Sequence, residues 1–276
     1  MFLTRLISGI LLLAFTFVTM FFGGQVLLVA LFMISLIGLY ELYKVMKFEN
    51  EHLAYIGYIA SFIWYVNIDT KQSPLFNIHV PELMILSIVV VALLLVFVIN
   101  YPKYTATQLF SAIFGIFYIP VMISFIFKTR ENIAFGQWLA WMVYVSSWGS
   151  DTCAYVVGRL FGKHKLAPVI SPNKSLEGAV GGVVGSALIG VIFGIIMSHF
   201  TGKSENLITI FAIIGGLGSV ISQIGDLAAS GIKRNYDIKD YGDLIPGHGG
   251  ILDRYDSIII TAPIVYYLAF YLVGRI

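Results

Sequence analysis

The hydrophobic positions of this chain fall into long runs that are separated by short polar segments. A bilayer core of roughly 30 Å needs about 20 apolar residues in a helix. Nine runs are predicted to span a membrane, at about 6–23, 25–46, 53–66, 82–100, 106–127, 133–155, 176–200, 207–231 and 252–274. The third is short and is closed by Asn67 and Asp69. The pattern predicts an all-α, polytopic integral membrane protein with about nine transmembrane helices.

Composition agrees with this class and excludes others. Hydrophobic residues make up 58% of the chain and charged residues 12%, which excludes a soluble domain. The single cysteine, Cys153, excludes an intramolecular disulfide framework. The first run is followed directly by another apolar run with no A-x-A-like cleavage site, so it is expected to be a membrane helix rather than a signal peptide.

Lysine and arginine in the short loops predict the orientation. With nine spans, the N-terminus and the loops after even-numbered spans share one side. That side has Arg5, Lys44, Lys47, Lys103, Arg159, Lys163, Lys165, Lys174, Lys233, Arg234, Lys239 and Arg254. The other side has Lys71, Lys128, Arg130, Lys203 and Arg275. A cytoplasmic N-terminus is therefore expected, provided that the number of spans is odd.

Polar residues divide the chain into two parts. Residues 1–130 have few charges inside the apolar runs and are expected to form a scaffold of transmembrane helices. Residues 131–276 are expected to form the catalytic region, with cytoplasmic loops at 156–176 and 231–252. No internal repeat is visible, so an inverted-repeat transporter has no support.

Small and polar residues recur at four-residue spacing in the seventh and eighth runs, which places each set on one helical face. The seventh run contains Gly178, Gly182, Ser186, Gly190 and Gly194. The eighth contains Gly218, Ser222, Asp226 and Ser230. The first set predicts close approach by a neighbouring helix. The second predicts a polar face that is directed toward the following loop.

Acidic residues are concentrated at the junction of the eighth and ninth runs, where 226–256 holds six of the fifteen in the chain. Asp226 lies inside a spanning run, where an ionisable group is costly and marks a functional site by default. Asp253 and Asp256 are three residues apart and share a helical face. Mg²⁺ takes one or two protein carboxylates and completes its shell with water and substrate phosphates. These three aspartates are therefore the candidate Mg²⁺ ligands.

Each aspartate also has a purely structural interpretation that the sequence leaves open. Asp226 is also suited to a charge pair or a packing role between helices. Asp253 and Asp256 begin the ninth run, and acidic residues at a helix N-terminus are favoured by the helix dipole without any ligand.

Basic and glycine-rich segments lie between these carboxylates. Lys233, Arg234 and Lys239 suit attraction to anionic lipid or, beside a metal, neutralisation of phosphate oxygens. The segment 246–250, PGHGG, leads into the ninth run, and exposed amides before a helix N-terminus form an anion cradle. Its His248 is either a solvated loop residue or a group that binds phosphate or carries a proton.

These residue types are the parts that phosphoryl and nucleotidyl transfer require, since positioning and charge stabilisation do most of that work. The chain has no G-x-x-x-x-G-K-[ST] phosphate loop, no G-x-S-x-G motif and no His/Cys zinc constellation. The residues alone thus predict a membrane-embedded, metal-assisted enzyme that acts on phosphorylated substrates from the cytoplasmic side.

The segment 230–256, SGIKRNYDIKDYGDLIPGHGGILDRYD, resembles the signature of the phosphatidate cytidylyltransferases, also called CDP-diacylglycerol synthases. The residues that carry the resemblance are Ser230, Lys233, Arg234, Lys239, Asp240, Gly242, Ile245, Pro246, His248, Gly249, Gly250, Asp253, Arg254 and Asp256. Upstream, Asp151, Tyr155, Gly158, Phe161, Gly162, Lys163, Ser171, Pro172, Lys174, Ser175, Glu177 and Gly178 are also similar to that family. The resemblance is specific over about 150–257 and diffuse in the N-terminal half.

The resemblance implies that CTP and phosphatidate react to give CDP-diacylglycerol and pyrophosphate, with Mg²⁺, at the bacterial inner membrane. It implies catalytic roles for Asp226, Asp253, Lys233 and His248, with His248 assigned to binding rather than to proton abstraction. It implies Asp226, Asp253 and Asp256 as metal ligands. It implies substrate contacts from Ser230, Arg234, Lys239, Asp240, Arg254, Lys174, Ser171 and Ser175. Membrane lipids are expected partners, nucleic acid is not, and a homodimer is left open.

Three other functions fit parts of the sequence less well. A CTP-dependent lipid-alcohol kinase would share the polytopic frame, but the ungapped signature favours the cytidylyltransferase. An ion-coupled transporter would use Asp151 and Asp226 as intramembrane sites, whereas the charges here crowd at one predicted cytoplasmic junction. The D-x2-D-G-x2-A-R array of CDP-alcohol phosphotransferases is absent.

Overall fold

Helices make up most of the chain in the computed structural model, which describes residues 2–70, 80–201 and 205–273. In chain order they are α1 Phe2–Phe22, α2 Gly24–Val45, α3 His52–Thr70, α4 Glu82–Ile99, α5 Ala106–Ile116, α6 Met122–Asn132, α7 Gly136–Leu139, α8 Trp141–Tyr144, α9 Ser150–Phe161, α10 Leu176–Thr201, α11 Glu205–Asn235 and α12 Leu252–Val273. Two π-helical segments, Phe117–Val121 and Val145–Gly149, join α5 to α6 and α8 to α9. The predicted all-α class is confirmed.

Seven helical segments among the described residues are long and apolar enough to cross a bilayer. They are Leu3–Phe22, Gly24–Val45, Glu82–Ile99, Ala106–Asn132, Leu176–Thr201, Asn206–Asn235 and Leu252–Val273. The third and sixth predicted spans correspond to α3 and to the interrupted helical run 136–161, and neither belongs to this set. The chain is an integral membrane protein, while the predicted total of nine spans is not confirmed. The orientation, which depends on that total, stays a prediction.

The chain forms two compact units. The first unit is Met1–Ser124 together with Asp240–Arg254, and the second unit is Phe125–Lys239 together with Tyr255–Ile276. The segment 240–254, which contains the predicted anion cradle 246–250, therefore belongs with the N-terminal helices. The predicted functional division at residue 130, with a scaffold before it and a catalytic region after it, stays a prediction.

Tyr43 in α2 is one of the fully buried side chains in the core of the first unit. A β-carbon placed at Gly57 in α3 would lie 2.4 Å from the Tyr43 hydroxyl oxygen, and one at Gly115 in α5 would lie 2.8 Å from its ring. The Tyr43 hydroxyl donates to the Ala112 carbonyl at 3.2 Å. Two glycines thus make room for one large side chain between three helices.

In the second unit, α10 packs closely against its neighbours through the predicted face of small residues. A β-carbon at Gly190 would lie 2.3 Å from the Phe211 carbonyl oxygen in α11, and one at Gly194 would lie 2.5 Å from the Ile208 α-carbon. At Gly178 it would lie 2.7 Å from the Ala154 carbonyl oxygen in α9. The predicted close approach of a neighbouring helix is confirmed for both α9 and α11.

This packing makes Gly190→Ala a destabilising substitution. We expect the added methyl group to lower the free energy of unfolding by about 1–3 kcal/mol, because the backbone of α11 must move away. Gly216→Ala is the matched control, since its β-carbon would lie at an ordinary 3.6 Å from that of Ala187. Thermal unfolding of both variants in detergent tests the packing. Equal stability of the two variants would contradict it.

The segment before α10 contains a short β-hairpin that the sequence did not predict. Strands β1 Lys165–Ala167 and β2 Ser171–Ser175 pair antiparallel within the predicted loop 156–176. Glu177, at the start of α10, fixes the entry to the hairpin because its carboxylate accepts hydrogen bonds from the backbone amides of Lys163 and His164 at 3.0 and 3.2 Å. The hairpin brings Ser171, Lys174 and Ser175 toward the helices of the second unit.

Candidate active site

A cavity of about 500 Å³ lies in the second unit, between the hairpin and helices α9, α10 and α11. Its lining contains four predicted site residues, Ser171, Lys174, Ser175 and Asp226. The other lining residues are Asp151, Ala154, Tyr155, Gly158, Arg159, Leu166, Asn173, Gly178, Ala179 and Gln223. The structure thus brings the hairpin and the polar face of α11 to one site.

Lys174 and Asp226 form an ion pair in the wall of this cavity. Both side chains are partly buried, with 28% and 22% exposure. Burial lowers the pKa of Lys174 below its ordinary value, and the charge of Lys233 acts in the same direction, whereas the carboxylates of Asp151 and Asp256 oppose the shift. Lys174 therefore lies within the electrostatic reach of several charges of both signs.

A second pair of opposite charges, Lys233 and Asp256, is more deeply buried. The Lys233 ammonium lies 3.5 Å from Asp256 Oδ2, and the two residues are 7% and 6% exposed. Asp256 Oδ1 also accepts from the backbone amide of Ser257 at 2.8 Å. Removing one member of such a pair leaves a buried charge without compensation, which is costly. Lys233 and Asp256 are thus held in fixed positions in the second unit.

Asp253, in the first unit, organises the glycine-rich segment 241–252. Its Oδ2 atom accepts hydrogen bonds from the backbone amides of Tyr241 at 2.7 Å and Gly250 at 3.0 Å. The carboxylate is buried, with 7% exposure. One oxygen atom therefore joins the beginning of the segment to its end. This gives Asp253 a structural role in addition to the predicted metal-binding role.

His248 lies in a tight turn within this segment. The His248 amide donates to the Ile245 carbonyl at 2.9 Å, and Gly247 has a φ of 76°, the left-handed conformation that a type II turn requires after Pro246. The Ser8 hydroxyl of α1 donates to the Pro246 carbonyl at 3.0 Å. Within the described part of the chain, the buried Nδ1 atom of His248 has no hydrogen-bond partner. Because buried polar atoms are normally satisfied, Nδ1 has a hydrogen-bonding capacity that the described residues leave unused.

The five remaining predicted substrate contacts differ in how far they are exposed to solvent. Ser230 is half-buried on the same helix as Asp226. Arg234 is exposed, and its Nη1 donates to the Ile238 carbonyl at 3.0 Å. Lys239 and Asp240 are both exposed. Their assignment to substrate binding stays a prediction, as does that of half-buried Arg254.

Comparison with known proteins gives the family. Residues 3–272 match the model of the cytidylyltransferase family. The chain belongs to the cytidylyltransferase family. It is 31% identical over 264 residues to a phosphatidate cytidylyltransferase of Staphylococcus haemolyticus, covering 95% of this chain and 96% of the relative. Similar proteins of the same name occur in Bacillus subtilis, at 30% identity over 96% of each chain, and in Haemophilus influenzae, at 30% over 97% of this chain and 98% of the relative.

Arg159, Gln223 and Asn173 also line the cavity, and the sequence analysis assigned none of them to the site. Arg159 Nη1 donates to the Tyr155 hydroxyl at 2.8 Å, one helical turn away on α9. Gln223 Nε2 donates to the Ala179 carbonyl at 3.0 Å and thereby joins α11 to α10. Asn173 is exposed on β2. The sequence alone could have indicated Arg159. It lies four residues after Tyr155 and eight after Asp151, and this spacing places the three residues on one side of a helix.

The predicted Mg²⁺ ligands provide the oxygen donors that a hard cation prefers. Within 2–70, 80–201 and 205–273, no three His, Cys, Asp or Glu side chains are grouped so that they could hold a metal ion by themselves. Mg²⁺ ordinarily needs only one or two protein carboxylates when water and substrate phosphates complete its shell. The donor chemistry of Asp226 and Asp256 in the second unit fits such an ion, and the metal assignment stays a prediction.

Proposed function

We propose that this chain is a phosphatidate cytidylyltransferase, which converts CTP and phosphatidate to CDP-diacylglycerol and pyrophosphate. The observation that carries the proposal is similarity along nearly the whole chain to relatives with that name. The charged cavity supports it, because both substrates present phosphate groups that lysine and arginine side chains bind. The apolar helices support it as well, since one substrate is a membrane lipid.

The reaction forms one phosphorus–oxygen bond and breaks another. An oxygen of the phosphatidate phosphate attacks the α-phosphorus of CTP. The bond from that phosphorus to the oxygen that bridges to the β-phosphate then breaks, and pyrophosphate leaves with the electron pair. A phosphate monoester is ionised near neutral pH, so no proton has to be removed from the attacking oxygen. His248 is accordingly assigned to binding, with Nδ1 directed at a substrate oxygen.

The cations of the second unit bind and orient the phosphates. Lys174 offers its ammonium group at the cavity wall, and Asp226 holds it there. Lys233 is fixed by Asp256 and is buried, so its charge is poorly screened by water. Charges that are already in place when negative charge moves toward the leaving pyrophosphate need no reorganisation during the reaction. Arg234 and Lys239 of the same unit, and Arg254 of the first unit, are the other predicted phosphate contacts.

Mg²⁺ fits the carboxylate oxygens of Asp226 and Asp256, and Asp253 is the third predicted ligand. When bound, the ion would neutralise charge on the phosphate oxygens of CTP. Ser171, Ser175, Ser230 and Asp240 are assigned polar contacts to the substrates. We also propose that the site faces the cytoplasm at the bacterial inner membrane, the side predicted from the lysines and arginines of the short loops.

An assay of the purified protein tests this proposal. The protein in detergent is supplied with CTP, phosphatidate and Mg²⁺, and lipid products and pyrophosphate are quantified. Equal amounts of CDP-diacylglycerol and pyrophosphate are expected, and omission of phosphatidate should abolish both. Folded protein that forms neither product would refute the proposal.

A further inference from the structure

Glu41 is a buried carboxylate that the proposed mechanism does not use. It lies in α2 among apolar residues and is 4% exposed. Its Oε1 accepts from the backbone amide of Ile251 at 3.0 Å, and its Oε2 accepts from that of Leu252 at 2.7 Å. Ile251 directly precedes α12 and Leu252 is its first residue, 210 and 211 residues later in the chain than Glu41. All of these residues lie within the first unit.

The glycine-rich segment is shaped to fit this carboxylate. A β-carbon at Gly242 would lie 2.5 Å from Glu41 Oε1, and one at Gly250 would lie 2.4 Å from the same atom. Any side chain at either position would displace the carboxylate or the backbone. Two glycines near opposite ends of the segment 241–252 are therefore required by one residue of α2.

Two carboxylates share the three successive amides that lead into α12. The amide of Gly250 donates to Asp253, and those of Ile251 and Leu252 donate to Glu41. Hydrogen bonds from backbone amides to a carboxylate are charge-assisted, and they offset the cost of burying it. The unpaired amides at a helix N-terminus also favour a negative charge. A shift of Glu41 must therefore move the backbone to which Asp253 is bonded.

We propose that Glu41 is a positioning residue for the active site: it fixes the segment 241–252 and thereby sets the place of the Asp253 carboxylate and of the His248 turn. The catalytic consequence rests on the proposed function, in which Asp253 and His248 act on the substrates. The structural consequence, a segment held in one conformation by α2, is independent of the reaction.

Glu41→Gln tests the catalytic consequence. The amide has one acceptor oxygen, so it keeps one of the two hydrogen bonds and turns an N–H group toward the other donor. We expect kcat to fall by roughly 100-fold, as displacement of catalytic groups by about 1 Å does. Glu41→Asp keeps the charge and should recover part of the loss. Ser35→Ala is the matched control, because Ser35 is a buried polar residue of α2 that bonds Tyr65 rather than the segment.

A spin label reports on the segment without any assay of activity. Leu244, in the segment, is 57% exposed and can be replaced by cysteine in a Cys153→Ser background, which leaves a single labelling site. We expect greater label mobility after Glu41→Gln and unchanged mobility after Ser35→Ala. Unchanged mobility in folded Glu41→Gln protein overturns the proposal, and so does increased mobility with parental kcat. If the parent protein made no CDP-diacylglycerol, the proposed function would fail, and the label comparison alone would decide the role of Glu41.

Discussion

Replacement of Asp226 by asparagine is expected to lower kcat by roughly 10³-fold, the upper range for loss of one preorganised charge or hydrogen-bonding group at a reaction centre. The variant removes a predicted metal ligand and also removes the partner of Lys174. The released ammonium can then take up other positions in the cavity. Initial rates with saturating CTP and phosphatidate measure the effect, and thermal unfolding in detergent checks that the protein is folded.

Asp237→Asn is the matched control for this variant. Asp237 is exposed, lies outside the proposed site and has a φ of 53°, a conformation that asparagine adopts as readily as aspartate. It makes the same chemical change in the same unit and should leave kcat unchanged. A near-parental kcat for Asp226→Asn would show that Asp226 is not a ligand and that its pair with Lys174 is purely structural.

Replacement of Asp253 by asparagine is also expected to lower kcat by roughly 10³-fold. Here the surrounding hydrogen bonds are expected to stay in place. The amides of Tyr241 and Gly250 both donate to one oxygen, Oδ2, so the single carbonyl oxygen of asparagine can accept both hydrogen bonds. The segment should therefore keep its conformation, while the negative charge is lost. The loss of a charge near a helix N-terminus costs only about 0.3–1 kcal/mol of stability.

A pair of further variants separates the charge of Asp253 from its hydrogen bonds. Asp253→Ala should lose both kcat and thermal stability, because two buried amides lose their acceptor. Glu82→Gln removes an acidic residue from the first turn of α4 and should keep the parental kcat. If Asp253→Asn retained near-normal turnover while Asp253→Ala did not, the role of Asp253 would be confined to holding the segment.

Helical periodicity predicted the features that depend on one helix and its neighbours. The face of small residues at Gly178, Gly190 and Gly194 packs against α9 and α11, and Asp226 lies on the polar face of a single helix, as the four-residue spacing indicated. The hairpin was missed because β1 and β2 are three and five residues long, and Pro172 interrupts the alternation that identifies a strand. It nevertheless determines where Lys174 lies.

The organisation of the glycine-rich segment could not be deduced from local pattern. Glu41 is more than 200 residues away from the amides that it binds, and no local pattern in the sequence couples the two regions. A signal was present all the same. The principle that singled out Asp226, an ionisable group within an apolar run, applies equally to Glu41 in the second run.

The fate of labelled phosphorus tests the central claim most directly. Purified protein is given phosphatidate, Mg²⁺ and CTP that is labelled at either the α- or the γ-phosphorus, and lipid and aqueous products are separated. Transfer of a cytidylyl group predicts that the α-label appears in the lipid and the γ-label in pyrophosphate. Transfer of the γ-label to the lipid would identify a kinase, and a lipid that contains neither label would exclude both reactions. Each of these two results would contradict the account.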